Sequence, residues 1–274
     1  GRMGVAAASD RTGGANPDQA GAFRRHMLYI PGYDPFPPRR YRELYRTEGA
    51  SQAALSGYEL SIQPRAGETY GWRVAAEIEG RRVESEVEML VWSDLVQRSM
   101  AQGIAATYLQ LVRTAWLYLA SGALRRLIRL RKGPMIAALY PAVLLVVQAL
   151  VALAVACAVT RLVAAFWSGP AGTGMGLFLG LFAGAGVLQL FRRIDRRLFV
   201  YYLMQDYAFS ARGGGAYPAA LEERLREFGG RVRAALASGA DEVLVVGHSS
   251  GVHLGVSMLA DLIRDGLPDG PVLG

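Results

Sequence analysis

Three hydrophobic patterns run along the chain, and each predicts a different element. Short apolar or alternating runs predict strands. They cover residues 26–30, 58–63, 70–78, 83–92 and 243–246. In 83–92, Val83, Ser85, Val87, Met89 and Val91 share one face. The run Val243-Leu244-Val245-Val246 is apolar throughout and mostly β-branched, as expected of a parallel strand buried on both faces. Helical spacing predicts helices over 37–52, which opens on a proline, over 218–237, and over 252–264, where Val252, Val256, Leu259 and Ile263 share a face. The segment 95–130 carries Leu109, Val112, Trp116, Leu119 and Ala123 at the same spacing. Residues 201–210, rich in aromatics and carrying Asp206, read as a juxtamembrane segment near the mouth of a site.

The third pattern is unbroken apolarity. No residue between Lys132 and Arg161 is charged, and none between Arg161 and Arg192. The stretches 135–159 and 175–191 are long enough to be membrane spans, joined by a glycine-rich turn over 168–174. A transmembrane helical hairpin is expected; a pair of buried core helices is the soluble alternative. Arg125, Arg126, Arg129, Arg131 and Lys132 precede the first span, and Arg192, Arg193, Arg196 and Arg197 follow the second. The positive-inside rule places both flanks in the cytoplasm, and the bacterial inner membrane is the expected location. Gly176, Gly180 and Gly184 form a small-residue face that Ala152 and Ala156 can match. Those faces would serve packing within the hairpin or, alternatively, homo-oligomer formation. The segment 95–130 reads as an amphipathic helix at the membrane surface or against the catalytic domain; a third span is the less favoured alternative, because Arg113 near its middle would cost roughly 2.5–3.5 kcal/mol.

Composition changes this picture little. The 274 residues carry a net charge of +7, which membrane topology and contact with anionic lipid account for. No nucleic-acid motif occurs, so nucleic acid is not an expected partner. A single cysteine, Cys157, excludes a disulfide framework within the chain. Residues 1–20 lack periodicity and are expected to be disordered, and Gly213-Gly214-Gly215 reads as a flexible joint.

The candidate chemistry is the sequence Gly247-His248-Ser249-Ser250-Gly251, set between the strand 243–246 and the helix 252–264. Gly247 and Gly251 give a tight turn the room it needs, and Gly255 lets the helix lie close to the sheet. An ordinary strand-to-helix turn of a nucleotide-binding sheet is the bland alternative. The G-x-S-x-G pattern resembles the nucleophile elbow of the α/β-hydrolase superfamily, in the G-H-S-x-G form common among its lipase-like members. The resemblance implies that Ser249 is the nucleophile and that the N–H of Ser250 is one oxyanion donor. It implies the second donor in the loop after an early strand. Here that loop is Pro31-Gly32-Tyr33-Asp34-Pro35, with Pro31-Gly32 where His-Gly usually stands, so Tyr33 is the implied donor. Asp94, at the end of the strand 83–92, is a further candidate, and a helix N-cap is its structural alternative.

An elbow serine needs a base oriented by an acid. Of the three histidines, His26 precedes the serine, His248 adjoins it, and His253 lies in the following helix. None is suited to be the base. The acid and base are expected beyond Gly274, which makes the chain an N-terminal piece of a longer hydrolase. The expected fold class is α/β, a partial hydrolase-type, mostly parallel sheet interrupted by the hairpin. Its divisions are 1–20, the first sheet part 21–94, the surface helix 95–132, the hairpin 133–192 and the second sheet part 193–274. The expected activity is cleavage of an ester or thioester, of a small molecule or a lipid, with no metal or organic cofactor. A non-catalytic membrane scaffold and a serine acyltransferase are the alternatives.

Overall fold

A computed structural model describes residues 21–65, 67, 69–100, 103–129, 132–211, 216–268 and 270–274. The expectations for 1–20 and for Gly213-Gly214-Gly215 lie outside these residues. The chain forms an α/β fold divided into two compact units. One holds the described residues up to Gly32, Phe36–Val91 and Glu227–Gly274; the other holds Tyr33–Pro35 and Trp92–Arg226.

The first unit is built on a six-stranded mixed sheet. Its strands are β1 (Phe23–Ile30), β2 (Glu59–Pro64), β3 (Gly71–Ile78), β4 (Arg81–Met89), β5 (Glu242–Gly247) and β6 (Val272–Leu273), in the spatial order β2-β3-β4-β1-β5-β6. β1 lies parallel to both β4 and β5, and β5 parallel to β6. β2, β3 and β4 form an antiparallel meander. The β3–β4 hairpin closes through Glu79 and Gly80, both at positive φ (52° and 73°), the conformation of a two-residue turn that matches strand twist. The strand expected over 83–92 stops at Met89, and its alternation holds: Val87 and Met89 are buried with Trp72 and Val74.

Helix α1 (Arg39–Ser56) covers that face of the sheet through Tyr41 and Tyr45, which pack against this cluster beside Met27 and Tyr29. The opposite face receives α9 (Ala219–Leu236), whose residues from Glu227 onward belong to this unit, and α10 (Ser250–Arg264). A Cβ on Gly255 would lie 3.3 Å from Ile30 Cδ1, so α10 rides directly on β1. Val252, Val256 and Ile263 point outward, at 47, 64 and 63 % exposure. The buried side is Gly251, Leu254, Gly255, Met258 and Leu262. α10 is apolar on more than one side, and close approach requires the side that carries the glycines.

The second unit is helical. The segment 95–130 is not one helix but α2 (Ser93–Met100), α3 (Ile104–Ala120) and α4 (Ala123–Ile128). Gly103 starts α3, and Ser121-Gly122, with Gly122 at φ 69°, ends it. α5 (Lys132–Phe166) and α6 (Pro170–Arg193) are longer than the expected spans, and their connection is only 167–169. Arg161 therefore lies within α5. Their small faces meet: Gly180 sits on Ala156 and Thr160, and Gly184 on Ala152. Thr160 Oγ1 also donates across the pair to the Gly176 carbonyl (3.1 Å). Self-association through these faces would require the pair to open.

Short α7 (Asp195–Leu198) leads to α8 (Val200–Ala211), the form taken by the aromatic segment 201–210. The Asp195 carboxylate caps α8 by accepting the N–H groups of Val200, Tyr201 and Tyr202 (2.8, 3.0 and 3.3 Å). Tyrosines tether the bundle to backbone carbonyls, Tyr108 to Leu145 (3.0 Å), Tyr140 to Leu198 (2.8 Å) and Tyr207 to Ala137 (3.0 Å).

Candidate active site

β5 ends at Gly247, α10 begins at Ser250, and the two residues between them make the whole reversal. Ser249 takes φ 54° and ψ −124°, a combination that costs an L-residue about 1–3 kcal/mol and persists only where surroundings enforce it. Those surroundings are visible. His248 N–H donates to the Ile30 carbonyl (3.0 Å), Gly251 N–H to the His248 carbonyl (2.9 Å) and Val252 N–H to the Ser249 carbonyl (3.0 Å). A Cβ on Gly251 would come within 2.3 Å of the Ile30 carbonyl oxygen, and one on Gly247 within 2.7 Å of Val252 Cα. Both glycines flanking the serine are thus demanded by contact.

The result is a serine held outward at the carboxyl end of a central parallel strand. Ser249 is exposed, and Ser250 opens the helix, where backbone N–H groups lack carbonyl partners within the helix. Such a terminus is electropositive and suits a developing oxyanion.

The loop after β1 approaches the same turn. A Cβ on Gly32 would lie 3.1 Å from both Ser249 Cβ and the His248 carbonyl oxygen. Glycine at 32 is what lets this loop rest on Ser249. Tyr33, the next residue, belongs to the second unit and is 2 % exposed there. Its ring packs among Trp92, Tyr202 and Phe209, and its hydroxyl pairs with Ser99 Oγ (2.5 Å). Tyr202 donates its hydroxyl to the Tyr33 carbonyl, and burial pushes that hydroxyl's pKa up, keeping it a donor. Gln97 Nε2 reaches the Pro35 carbonyl (2.7 Å). The side chain of Tyr33 therefore anchors the loop whose backbone was expected to serve.

Among the described residues, Ser249 Oγ has no hydrogen-bonded base. His26 Nε2 lies 3.3 Å from Glu88 Oε2, while His248 and His253 are exposed. Asp94 lies in the first turn of α2, paired bidentately with Arg224 of α9 (2.9 and 3.1 Å). That hydrogen bonding holds its carboxyl below the usual range. Its charge is spent within the second unit. No group of three His, Cys, Asp or Glu side chains among the described residues is placed to hold a metal.

One buried charge escaped sequence reasoning. Glu88, 1 % exposed, receives Arg231 Nε (2.5 Å) and stands 3.5 Å from Arg65 Nη1, besides His26. Burial alone would raise its pKa, but the hydrogen bonds from His26 and Arg231 and the two arginine charges lower it to about 2. By alternation Glu88 continues the outward row Glu84, Glu86, so its pattern reads as a solvated face; α9 supplies the cover. A charged cleft of about 370 Å³ sits at the opposite end of β1 from the elbow, lined in part by Arg24, Arg25, His26 and Glu84. No protein-family model, curated protein or solved structure matches the chain.

Proposed function

We propose that this chain carries the nucleophile and oxyanion site of a membrane-anchored serine hydrolase of the α/β-hydrolase type, acting on an ester or thioester. The observation that carries the reading is the backbone of Ser249, an L-residue at φ 54° and ψ −124° in a two-residue strand-to-helix reversal. An ordinary turn has no reason to hold serine in that conformation, whereas a nucleophile that must project above the sheet does. The approach of Gly32 supports it, because it brings a second loop to the serine.

In the proposed reaction Ser249 Oγ attacks the acyl carbon. The carbonyl oxygen gains charge and is met by the N–H group of Ser250, the second donor being the one that the resemblance implies. The tetrahedral intermediate collapses to an acyl-serine with loss of the alcohol or thiol, and water releases the acid. The proton on Oγ must pass to a base, and no described histidine is bonded to that oxygen. A non-catalytic scaffold that keeps the fold is the second reading. A serine acyltransferase would share the acyl-enzyme and differ only in passing the acyl group to an alcohol.

A fluorophosphonate probe tests the nucleophile. Labelling should occur at Ser249 and vanish in S249A. It should be slow in the 274-residue chain and accelerate with added imidazole, since a general base is worth about 10²–10⁴ in rate. Labelling that persists in S249A refutes the assignment, and complete inertness with imidazole favours the scaffold.

α5 and α6 are long and apolar enough to cross a bilayer. We place them across it as a hairpin, with the basic flanks and the serine site in the cytoplasm and residues 167–169 outside. A cysteine at Ser168 in a C157A background should react with a membrane-impermeant thiol reagent in cells with a permeabilised outer layer. Protection at 168 together with reaction of a cysteine at 249 would reverse the orientation.

A further inference from the structure

α3 is turned inside out for a helix in water. Thr107 and Thr114 are buried, while Leu109, Val112 and Leu119 are exposed and Trp116 is 72 % exposed. This outward row ends where α3 bends into α4. There an open groove of about 610 Å³ is lined by Leu119, Leu124 and Ile128 together with Arg125 and Arg129. Ile128 is exposed, and both guanidinium groups lack an acidic partner among the described residues. The shortage of acid is general. No Asp or Glu occurs between Asp94 and Asp195, whereas Arg98, Arg113, Arg125, Arg126, Arg129 and Lys132 all fall between Asp94 and the first span. Nothing within this stretch of chain can neutralise the groove's arginines.

We propose that the α3–α4 elbow binds an anionic phospholipid, with Arg125 and Arg129 on the headgroup phosphate and the outward row of α3 along the acyl chains. The occupant follows from the lining. A site with apolar residues on one side and paired guanidinium groups on the other fits a molecule with the same division. Its depth follows from the chain: α5 starts at Lys132, three residues after Arg129. The elbow thus lies at the headgroup level wherever α5 enters the hydrocarbon. The arginines can reach the phosphate while their stems lie on apolar surface. This site rests on the reading of α5 and α6 as membrane-spanning.

The test uses the whole chain reconstituted in phosphatidylcholine vesicles. They contain a minor fraction of either phosphatidylglycerol or phosphatidylcholine brominated on its acyl chains. The signal is the quenching lost in W116F, which isolates Trp116. Brominated phosphatidylglycerol should quench several-fold more than the same fraction of brominated phosphatidylcholine. Each single removal, R125Q or R129Q, should weaken that preference about twofold, and R125Q/R129Q should bring the two lipids to parity. R161Q, at the far end of α5, should leave the preference intact. Parity in the unmodified chain, or an undiminished preference in R125Q/R129Q, overturns the headgroup site while leaving the spanning helices in place. Extraction of the chain by alkaline carbonate overturns the spanning reading and the lipid site with it.

Discussion

In the sheet unit Trp72, Val74, Val87 and Met89 are buried beneath α1, whereas in the helical unit α6 turns Phe178, Leu181 and Phe182 outward and buries Gly176, Gly180 and Gly184. The contrast extends to polar groups. The sheet unit buries a carboxylate, Glu88, only by surrounding it with three basic side chains. The helical unit buries Thr107, Thr114, Gln148 and Gln205, while Trp116 of α3, Leu150 of α5 and Phe182 of α6 face out. Packing in the first unit follows the usual expulsion of apolar surface from water. In the α5–α6 pair of the second, small residues bring the helices together and many large apolar ones are left for the surroundings, the arrangement expected where those surroundings are lipid. One chain therefore reads as obeying two solvents, and the bilayer-length helices belong only to the second.

The comparison can be broken most sharply by charging the outward face. Leu150 and Phe182 are exposed near the middles of α5 and α6. In water, L150K/F182K would be nearly neutral, within about 0.5 kcal/mol for each exposed site. In a bilayer the two lysines should together cost about 5–7 kcal/mol of insertion free energy. The carbonate-resistant fraction of the double variant should collapse; if it does not, the helical unit is not in lipid.

The next largest effect belongs to Glu88. Replacement by leucine strands Arg65 and Arg231 beside a buried apolar group. It should cost about 3 kcal/mol, the low end for a broken buried pair because Arg231 keeps some solvent. Thermal unfolding followed at Trp72 reads it. The ordinary carboxyl value is 4.5 and the folded value about 2, so the charged form is favoured by folding. Its contribution is complete above about pH 4.5 and is lost as pH falls through about 2. The leucine variant should lack that acid-dependent component.

Smaller still is the contrast between two buried glycines. G251A places a methyl 2.3 Å from the Ile30 carbonyl oxygen, and should cost about 1–3 kcal/mol and abolish probe labelling. In G184A the nearest atom, the Ala152 carbonyl oxygen, is at 3.1 Å, and the helix pair should absorb the change with far less loss. Unfolding midpoints of the two variants check the order.

The smallest effect has the opposite sign. S249G should relieve the strained backbone and stabilise the sheet unit by about 1 kcal/mol, after the entropy cost of glycine is subtracted, while removing the proposed nucleophile. A destabilised S249G would mean that the elbow stores no strain for the serine to bear.

Much of this was legible in order along the chain. The strands, the elbow turn, α1, α9 and the two long helices each came from local patterns, because alternation, helical spacing and unbroken apolarity are properties of neighbours. Gly247 and Gly251 were legible for the same reason. The lack of a well-placed base was equally legible, since the sequence holds only three histidines. Tyr33 was singled out for its backbone, while its buried ring depends on Trp92, Tyr202 and Phe209, far away in sequence. The Asp94–Arg224 pair joins residues 130 positions apart, a separation no motif spans.

By itself, then, the sequence determined which residues share a face, where the chain reverses and which helices are long and apolar enough to cross a bilayer, because backbone geometry ties those properties to near neighbours. Only the tertiary structure decided what lies opposite each face. It chose the glycine side of α10 over the equally apolar side of Val252 and Val256. It set Gly180 and Gly184 against Ala156 and Ala152 of the same chain, and it closed Glu88 under Arg231. A periodic pattern can present several surfaces, and burial falls to whichever one its distant partners fit closely enough to exclude solvent.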